Sequence, residues 1–173
     1  MRNVLQQLGV ELAIRSPVVR VESQAVVTAD GRQVPYDFLV HAIGLNPPGL
    51  LRDTGLPTSE DGALLVDRYL RSVADPKVFG GGDCIAFQER ALPRVGVYAV
   101  REAPILFYNL LATLQGRPLR PFKPQRRFLL ILNLGDGTGL ATWGQFHWHG
   151  RLAFWLKDRI DRAFLREYQE CLK

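Results

Sequence analysis

Apolar positions along this chain switch between helical and strand-like spacing, and the switches outline its elements. Val4, Leu5 and Leu8 make a short amphipathic turn closed by Gly9, after which Val10–Ile14 alternates as a strand does. Val18–Val21 and Ala25–Thr28 are β-rich. The Asp30-Gly31 pair predicts a hairpin between the second of these and the residues that follow. Asp37–Gly44 is a nearly continuous apolar run, the pattern of a strand buried on both faces of a parallel sheet. Leu45-Asn46-Pro47-Pro48 breaks it. A loop-rich connection follows, with Leu50 and Leu51 starting a short helix, Asp61-Gly62 turning the chain and Leu64–Asp67 forming a brief strand. Lys77–Gly80 reads as a second buried strand running into Gly81-Gly82-Asp83-Cys84.

Beyond it, residues 96–115 carry apolar side chains at helical spacing (Val97, Val100, Leu106, Phe107, Leu110, Leu111, Leu114), with Pro104 as a kink and Gly116 as the stop. Pro118, Pro121 and Pro124 predict an extended linker. Arg127–Leu134 and Leu140–His147 flank an Asp136-Gly137 turn and predict a hairpin. Residues 151–168 predict a helix with Leu152, Trp155, Leu156, Ile160, Ala163 and Phe164 on one stripe. There is no internal repeat and no low-complexity tract.

The alternation of short strands with helices gives an α/β class. The breaks at 44/45 and 116/117 suggest three parts: 1–44, 45–116 and a C-terminal hairpin-helix part, 117–173. Composition changes this picture little: 47% hydrophobic and 23% charged residues in 173 describe a globular chain and exclude disorder, collagen and a disulfide scaffold. No apolar run reaches the ~18 residues of a membrane span, and the N-terminus lacks a secretory h-region, so the expected compartment is the cytoplasm. Charge is more informative. Residues 1–115 hold 11 Lys and Arg against 12 Asp and Glu, whereas residues 116–173 hold 11 against 5, so the whole basic excess lies in the last third. That asymmetry suits either an anionic partner surface or a solvated helix face.

Two glycine clusters compete as phosphate cradles. A dinucleotide fingerprint, G-x-G-x-x-G, must follow a strand and open a helix so that the pyrophosphate meets backbone N–H groups. Gly135-Asp136-Gly137-Thr138-Gly139 leads into a strand and reads as a hairpin turn. Gly80-Gly81-Gly82-Asp83 ends the predicted buried strand and presents a carboxylate, where ligands bind in open α/β sheets; the alternative is an Asp capping the next turn. Cys84 and Cys171 fit no metal or redox spacing and read as plain thiols. His147 and His149 lack further ligands nearby, so no metal site is expected. His41 reads as a core histidine.

Val78-Phe79-Gly80-Gly81-Gly82-Asp83-Cys84 resembles the second FAD motif of the pyridine nucleotide-disulfide oxidoreductase superfamily. Ala42-Ile43-Gly44-Leu45-Asn46-Pro47 is similar to that superfamily's crossover from the NAD(P)H domain to the FAD domain. Arg94-Val95-Gly96-Val97-Tyr98-Ala99-Val100-Arg101 and the basic C-terminal part look most like the type II NADH dehydrogenase and sulfide:quinone oxidoreductase branch. Arg126-Arg127-Phe128-Leu129, Leu134-Gly135-Asp136-Gly137 and the run from Trp155 to Arg162 are similar to flavoproteins that occur alone or fused to selenide, water dikinase.

The resemblance implies a C-terminal portion of a two-dinucleotide-domain flavoprotein: the end of the NAD(P)H domain, the second half of the FAD domain, and a C-terminal hairpin and amphipathic helix. It implies FAD and NAD(P)H as cofactors. Asp83 would bond the ribityl chain, with Gly82 allowing close backbone approach, and the helix start at Gly96, Val97 and Tyr98 would face the flavin pyrimidine edge. A helix N-terminus there would stabilise the negative charge of reduced flavin. Ile43 and Gly44 would lie on the nicotinamide side. In the reading the resemblance implies, no residue would act as general acid or base; hydride would pass from nicotinamide to flavin and electrons on to a quinone or another acceptor.

The superfamily's G-x-G-x-x-G motifs are absent from these residues. The expected partners are therefore the N-terminal half of the same flavoprotein, a second copy in a homodimer and, through residues 151–168, the inner face of a membrane as a peripheral contact. No nucleic acid is expected. The rival expectation is a non-catalytic interaction module that binds no cofactor by itself.

Overall fold

The computed structural model describes residues 2–51 and 53–170, so Cys171 lies outside the described residues. The chain divides into two compact units, one formed by residues 1–41 with 127–173 and the other by 42–126.

In the first unit, helix α1 (Arg2–Gln7) ends at Gly9, whose φ of +76° supplies the left-handed turn that glycine adopts without cost. Strands β1 (Val18–Val21), β2 (Ala25–Thr28) and β3 (Gln33–Pro35) form an antiparallel sheet in the order β1-β2-β3, with Gly31 at φ +80° in the predicted turn. Val10–Ile14 is not a strand. It leads into a turn at Ile14-Arg15, where Arg15 takes φ +62° and interrupts extended backbone.

The predicted buried strand Asp37–Gly44 is also absent, and His41 within it is exposed rather than a core residue. Phe38 is 84% exposed, Val40 70% and Ile43 83%. The reason is backbone pairing. A strand covered on both faces needs a ladder neighbour, and the sheets among the described residues offer this run none.

The C-terminal part of this unit is a three-stranded meander rather than a two-stranded hairpin: β6 (Leu129–Asn133), β7 (Gly139–Trp143) and β8 (Phe146–Gly150). The predicted second strand, Leu140–His147, is divided by a turn in which Gly144 sits at φ +61°. Helix α3 (Arg151–Glu170) packs on β7, and Ala153 of the helix and Leu140 and Ala141 of the strand are all buried. Gly139 permits that approach, because a Cβ there would stand 2.7 Å from the Phe154 nitrogen. The predicted apolar stripe of α3 is largely solvent-facing, with Leu152, Trp155, Ile160 and Phe164 all exposed. Asp158 and Asp161 are tied to Arg162 and Lys157 by (i, i+4) ion pairs at 2.7 Å, so they neutralise charges of their own helix.

The second unit has little regular sheet. Strands β4 (Leu64–Val66) and β5 (Ile85–Phe87) pair in parallel, and a 3-10 turn at Gly49–Leu51 matches the predicted short helix. Lys77–Gly80 is not a strand: Phe79 alone bridges to Arg71, and three consecutive glycines give no side-chain face to bury. The ladder begins after the glycines, in β5.

Helix α2 (Gly96–Leu114) organises the unit with an inverted amphipathic pattern. Its buried positions are Tyr98, Glu102, Asn109 and Ala112, while Val100, Phe107, Leu110 and Leu114 are exposed. Asn109 is fully buried and donates to the carbonyls of Tyr69 and Arg120 at 2.9 and 2.8 Å; its Oδ1 accepts the Arg120 N–H at 2.8 Å. One amide thereby holds two irregular segments. Tyr69 follows Asp67, whose carboxylate accepts the Tyr69 and Arg71 N–H groups, and Leu70 between them takes φ +61° with its side chain wholly buried. Phe122 docks alongside: its N–H donates to the Arg68 carbonyl at 2.7 Å, and its ring meets Phe87 edge-on at 5.8 Å.

Replacing Asn109 with Ala leaves the Arg120 N–H and two carbonyls without partners, and is expected to lower the unfolding free energy by about 2–4 kcal/mol. Urea denaturation of the two forms measures this; a loss below about 1 kcal/mol would show that water replaces the amide.

Candidate functional site

A cavity of about 510 Å3 opens in the second unit between the loop at Ser59–Asp61, the turn carrying Gly82 and Asp83, and the start of α2. Further walls come from Ile85, Ala86 and Phe87 of β5, the loop Ala91–Arg94, and Tyr98, Ala99 and Glu102 of α2.

Gly82–Cys84 forms a 3-10 turn whose first residue has φ +72°, so glycine is required there by backbone conformation. Gly80 is required by space instead: a Cβ would lie 2.7 Å from Ile85 Cγ2 and 3.1 Å from Leu64 Cδ2. The expectation that Asp83 sits at the carboxyl end of a parallel strand is corrected. Asp83 precedes β5 and lies at that strand's amino end, since the ladder with β4 starts at Ile85. The Cys84 Sγ points back to the Gly81 carbonyl at 3.1 Å, within the turn.

Two contacts fix the turn from outside. The Gly82 N–H donates to Glu102 Oε2 at 2.6 Å, across twenty residues of sequence, and Arg94 Nε donates to the Asp83 carbonyl at 3.1 Å. Arg94 also pairs with Asp61 at 2.6 Å, and Ser59 donates its hydroxyl to the same carboxylate at 2.7 Å. The Ser59 hydroxyl foremost, with the Arg94 guanidinium, holds the Asp61 carboxyl below its ordinary range. Glu102 behaves oppositely. It is 2% exposed, and burial pushes its carboxyl above the ordinary 4.5; the Gly82 N–H opposes that shift and the neighbouring Asp83 charge adds to it.

The cavity is thus lined by four carboxyl groups, Glu60, Asp61, Asp83 and Glu102, against one guanidinium. Helix α2 begins beside it at Gly96 with Val95 as N-cap, no side-chain cap bond and no acidic residue in its first turn. Its N-terminal partial charge is therefore not offset by its own side chains.

Of the residues expected to bind a cofactor, Gly82, Asp83 and Tyr98 line this cavity together. Gly96 and Val97 open α2 outside the cavity wall, and a Cβ at Gly96 would meet nothing within 4 Å. Ile43 and Gly44 are exposed and lie outside that wall; Gly44 takes φ +109°, and a Cβ there would likewise meet no heavy atom within 4 Å. The sequence pattern assigns no part in the site to Glu102, Arg94 or Asp61. The available signal for Glu102 is an acid in register with Tyr98 and Asn109 on one helix face. His147 and His149 lie on β8, His149 Nε2 being 3.0 Å from the Thr138 hydroxyl, and among the described residues no three His, Cys, Asp or Glu side chains could hold a metal. No described helix is long and apolar enough to cross a membrane.

Residues 1–103 match the family described as pyridine nucleotide-disulphide oxidoreductase, and the chain belongs to that family. It is 32% identical over 168 residues to the nitric oxide reductase FlRd-NAD(+) reductase of Aeromonas hydrophila, covering 88% of this chain and 41% of that protein. It is 30% identical over 118 residues to an internal alternative NAD(P)H-ubiquinone oxidoreductase A1, mitochondrial, of Arabidopsis thaliana, covering 65% and 23%. Among solved structures, an FAD-dependent pyridine nucleotide-disulphide oxidoreductase from Desulfovibrio vulgaris superposes with a TM-score of 0.63 at 26% identity, over 83% of this chain and 36% of that one. The chain therefore spans less than half the length of each of these proteins. The α/β class agrees with these relatives.

Because Glu102 holds its proton more tightly folded than unfolded, its contribution to stability is full below pH 4.5 and is lost as pH rises through the raised folded value. Glu102→Gln keeps an acceptor for Gly82 but cannot titrate. Urea unfolding at a series of pH values is expected to show the wild type losing stability relative to the variant from pH 4.5 toward neutrality; a constant difference would contradict the assignment.

Proposed function

We propose that this chain supplies the ribityl-binding portion of an FAD site in an NAD(P)H-dependent oxidoreductase that delivers electrons to a quinone or another acceptor. The observation that carries the reading is Asp83 in a walled cavity beside the uncapped start of a 19-residue helix. The donor set fits that part of the cofactor. Carboxylates accept hydroxyl hydrogens from a polyol, whereas the same acid-rich wall repels phosphate. The diphosphate and adenosine would thus be held by a G-x-G-x-x-G segment, which residues 1–173 do not contain.

When bound, FAD supplies the two-electron acceptor for a hydride from NAD(P)H. The chain's own residues bind and orient. Asp83 would receive ribityl hydroxyls; Gly82, without a side chain, would let the cofactor approach the turn; and the start of α2 at Gly96, Val97 and Tyr98 would present its positive end to the pyrimidine edge, through the Gly96 and Val97 N–H groups because the Tyr98 N–H already donates to the Val95 carbonyl. Ile43 and Gly44, exposed outside the cavity wall, would lie on the nicotinamide side, where the absence of a side chain at Gly44 would leave room for the cofactor. No proton is moved by a side chain, so rate comes from orientation and electrostatics. The exposed apolar side chains of Phe38, Val40 and Ile43 support an association with the remainder of such an enzyme.

Flavin fluorescence quenching on the 173-residue chain tests the reading. With the diphosphate and adenosine contacts missing, FAD is expected to bind weakly, and Asp83→Ala to weaken binding by about a further tenfold or more, the loss of one charge-assisted hydrogen bond. Equal binding by the two forms would remove Asp83 from the site.

A further inference from the structure

We propose that Glu102 is a positioning residue of the flavin site: its carboxyl, planted in helix α2, grips the Gly82 N–H and so sets where the Asp83 carboxylate stands in the cavity. The inference rests on the reading of that cavity as an FAD subsite, but the grip itself is a property of the chain.

The geometry leaves the turn few other means of being fixed. Gly82 lies in the left-handed region, and neither it nor Gly81 has a side chain to anchor the loop. What faces them is one stripe of α2. A Cβ on Gly82 would meet the Ala99 Cβ at 3.6 Å, and one on Gly81 would meet Leu106 Cδ2 at 3.2 Å and Glu102 Oε2 at 3.5 Å. The glycines thus bring backbone directly onto the helix, and the 2.6 Å bond from Gly82 to Glu102 is the polar contact made there. A buried carboxyl is an expensive way to satisfy one N–H. Its placement next to Asp83, which disfavours its charge, is explained if the position of Asp83 is what the contact secures.

The other titratable or charged groups on the same cavity are Asp83 on the turn, Glu60 and Asp61 on the facing loop, Arg94 on the loop before α2, and Tyr98 in the first turn of α2. Asp61 is held low by Ser59 and Arg94, so it is already ionised where Glu102 titrates. A pH-dependent change at the Gly82 amide that disappears in Glu102→Gln therefore reports Glu102.

The experiment combines an amide titration with flavin affinity. In the 173-residue chain labelled with nitrogen-15, the Gly82 amide proton is expected to shift with an inflection above pH 4.5 and to become pH-independent in Glu102→Gln. Glu102→Gln, which keeps an oxygen acceptor, is expected to hold FAD within about threefold of wild type, and Glu102→Leu, which keeps the bulk without the acceptor, to lose about tenfold or more. Near-ultraviolet circular dichroism checks that Glu102→Leu remains folded; should it unfold, Glu102→Met provides the same comparison. A Gly82 amide indifferent to Glu102, or equal FAD affinity in the folded Leu or Met form and the wild type, overturns the proposal. Absence of FAD binding in every form, wild type included, overturns the proposed function instead, and the amide titration then decides the role of Glu102 alone.

Discussion

The arrangement of the second unit depends on polar side chains of one helix capturing backbone groups of segments that have no ladder of their own. Tyr98, Glu102 and Asn109 fall on one face of α2, and their partners are the Gln125 carbonyl, the Gly82 N–H, and the backbone of Tyr69 and Arg120. With only two short strands paired among its described residues, most of the described backbone in this unit has no sheet to satisfy it. Buried backbone left unpaired is costly, so the helix supplies acceptors and donors where a larger sheet would otherwise do so. Arg90 adds to the same work by donating to the Pro124 and Gln125 carbonyls, which fastens the proline-rich segment beyond α2.

The same economy shapes the cavity. Arg94 is shared between Asp61 and the Asp83 carbonyl, so the single guanidinium on the wall already has partners. What remains free to meet a ligand is mainly carboxylate oxygen and the start of a helix. Those two features recognise different chemistry: hydroxyl donors on one side, a partially negative ring edge on the other. A cofactor with a polyol between a ring system and a phosphate satisfies both only in its ring-proximal half, which is why the proposed assignment stops at the ribityl chain.

Much of the local structure is legible in the sequence, and the failures share a cause. The hairpin at Asp30-Gly31, the strand at Leu64, the helix at residues 96–114 and the helix from residue 151 follow from turn chemistry and periodicity, which act within a few residues. Asp37–Gly44 and Lys77–Gly80 have the apolar character of buried strands and form none. Hydrophobicity states what a segment can bury, whereas a strand also requires a neighbour to accept its hydrogen bonds, and that neighbour is not written in the segment. The site shows the same division. Gly82 and Asp83 are legible because the motif is contiguous; Glu102 is not, because its partner lies twenty positions away and its significance comes from packing.

Helix α2 also shows why periodicity alone misplaces a face. Its apolar residues, Val100, Phe107, Leu110 and Leu114, suggest a core-facing stripe, yet these are exposed and the stripe bearing Glu102 and Asn109 is inside. Burial of apolar area within this unit does not account for that orientation, since these four apolar side chains stay exposed. Hydrogen bonds chose it. Each buried amide or carboxyl on α2 has a backbone partner at 2.6–2.9 Å, and turning the helix would break all of these bonds. Hydrophobic attraction is tolerant of small shifts, but hydrogen bonds of this length lose most of their strength when displaced by an ångström. A helix seated this way holds the Gly82 turn to a tighter tolerance than an apolar stripe could, and under the proposed function the Asp83 carboxylate would need that tolerance to meet a ribityl hydroxyl.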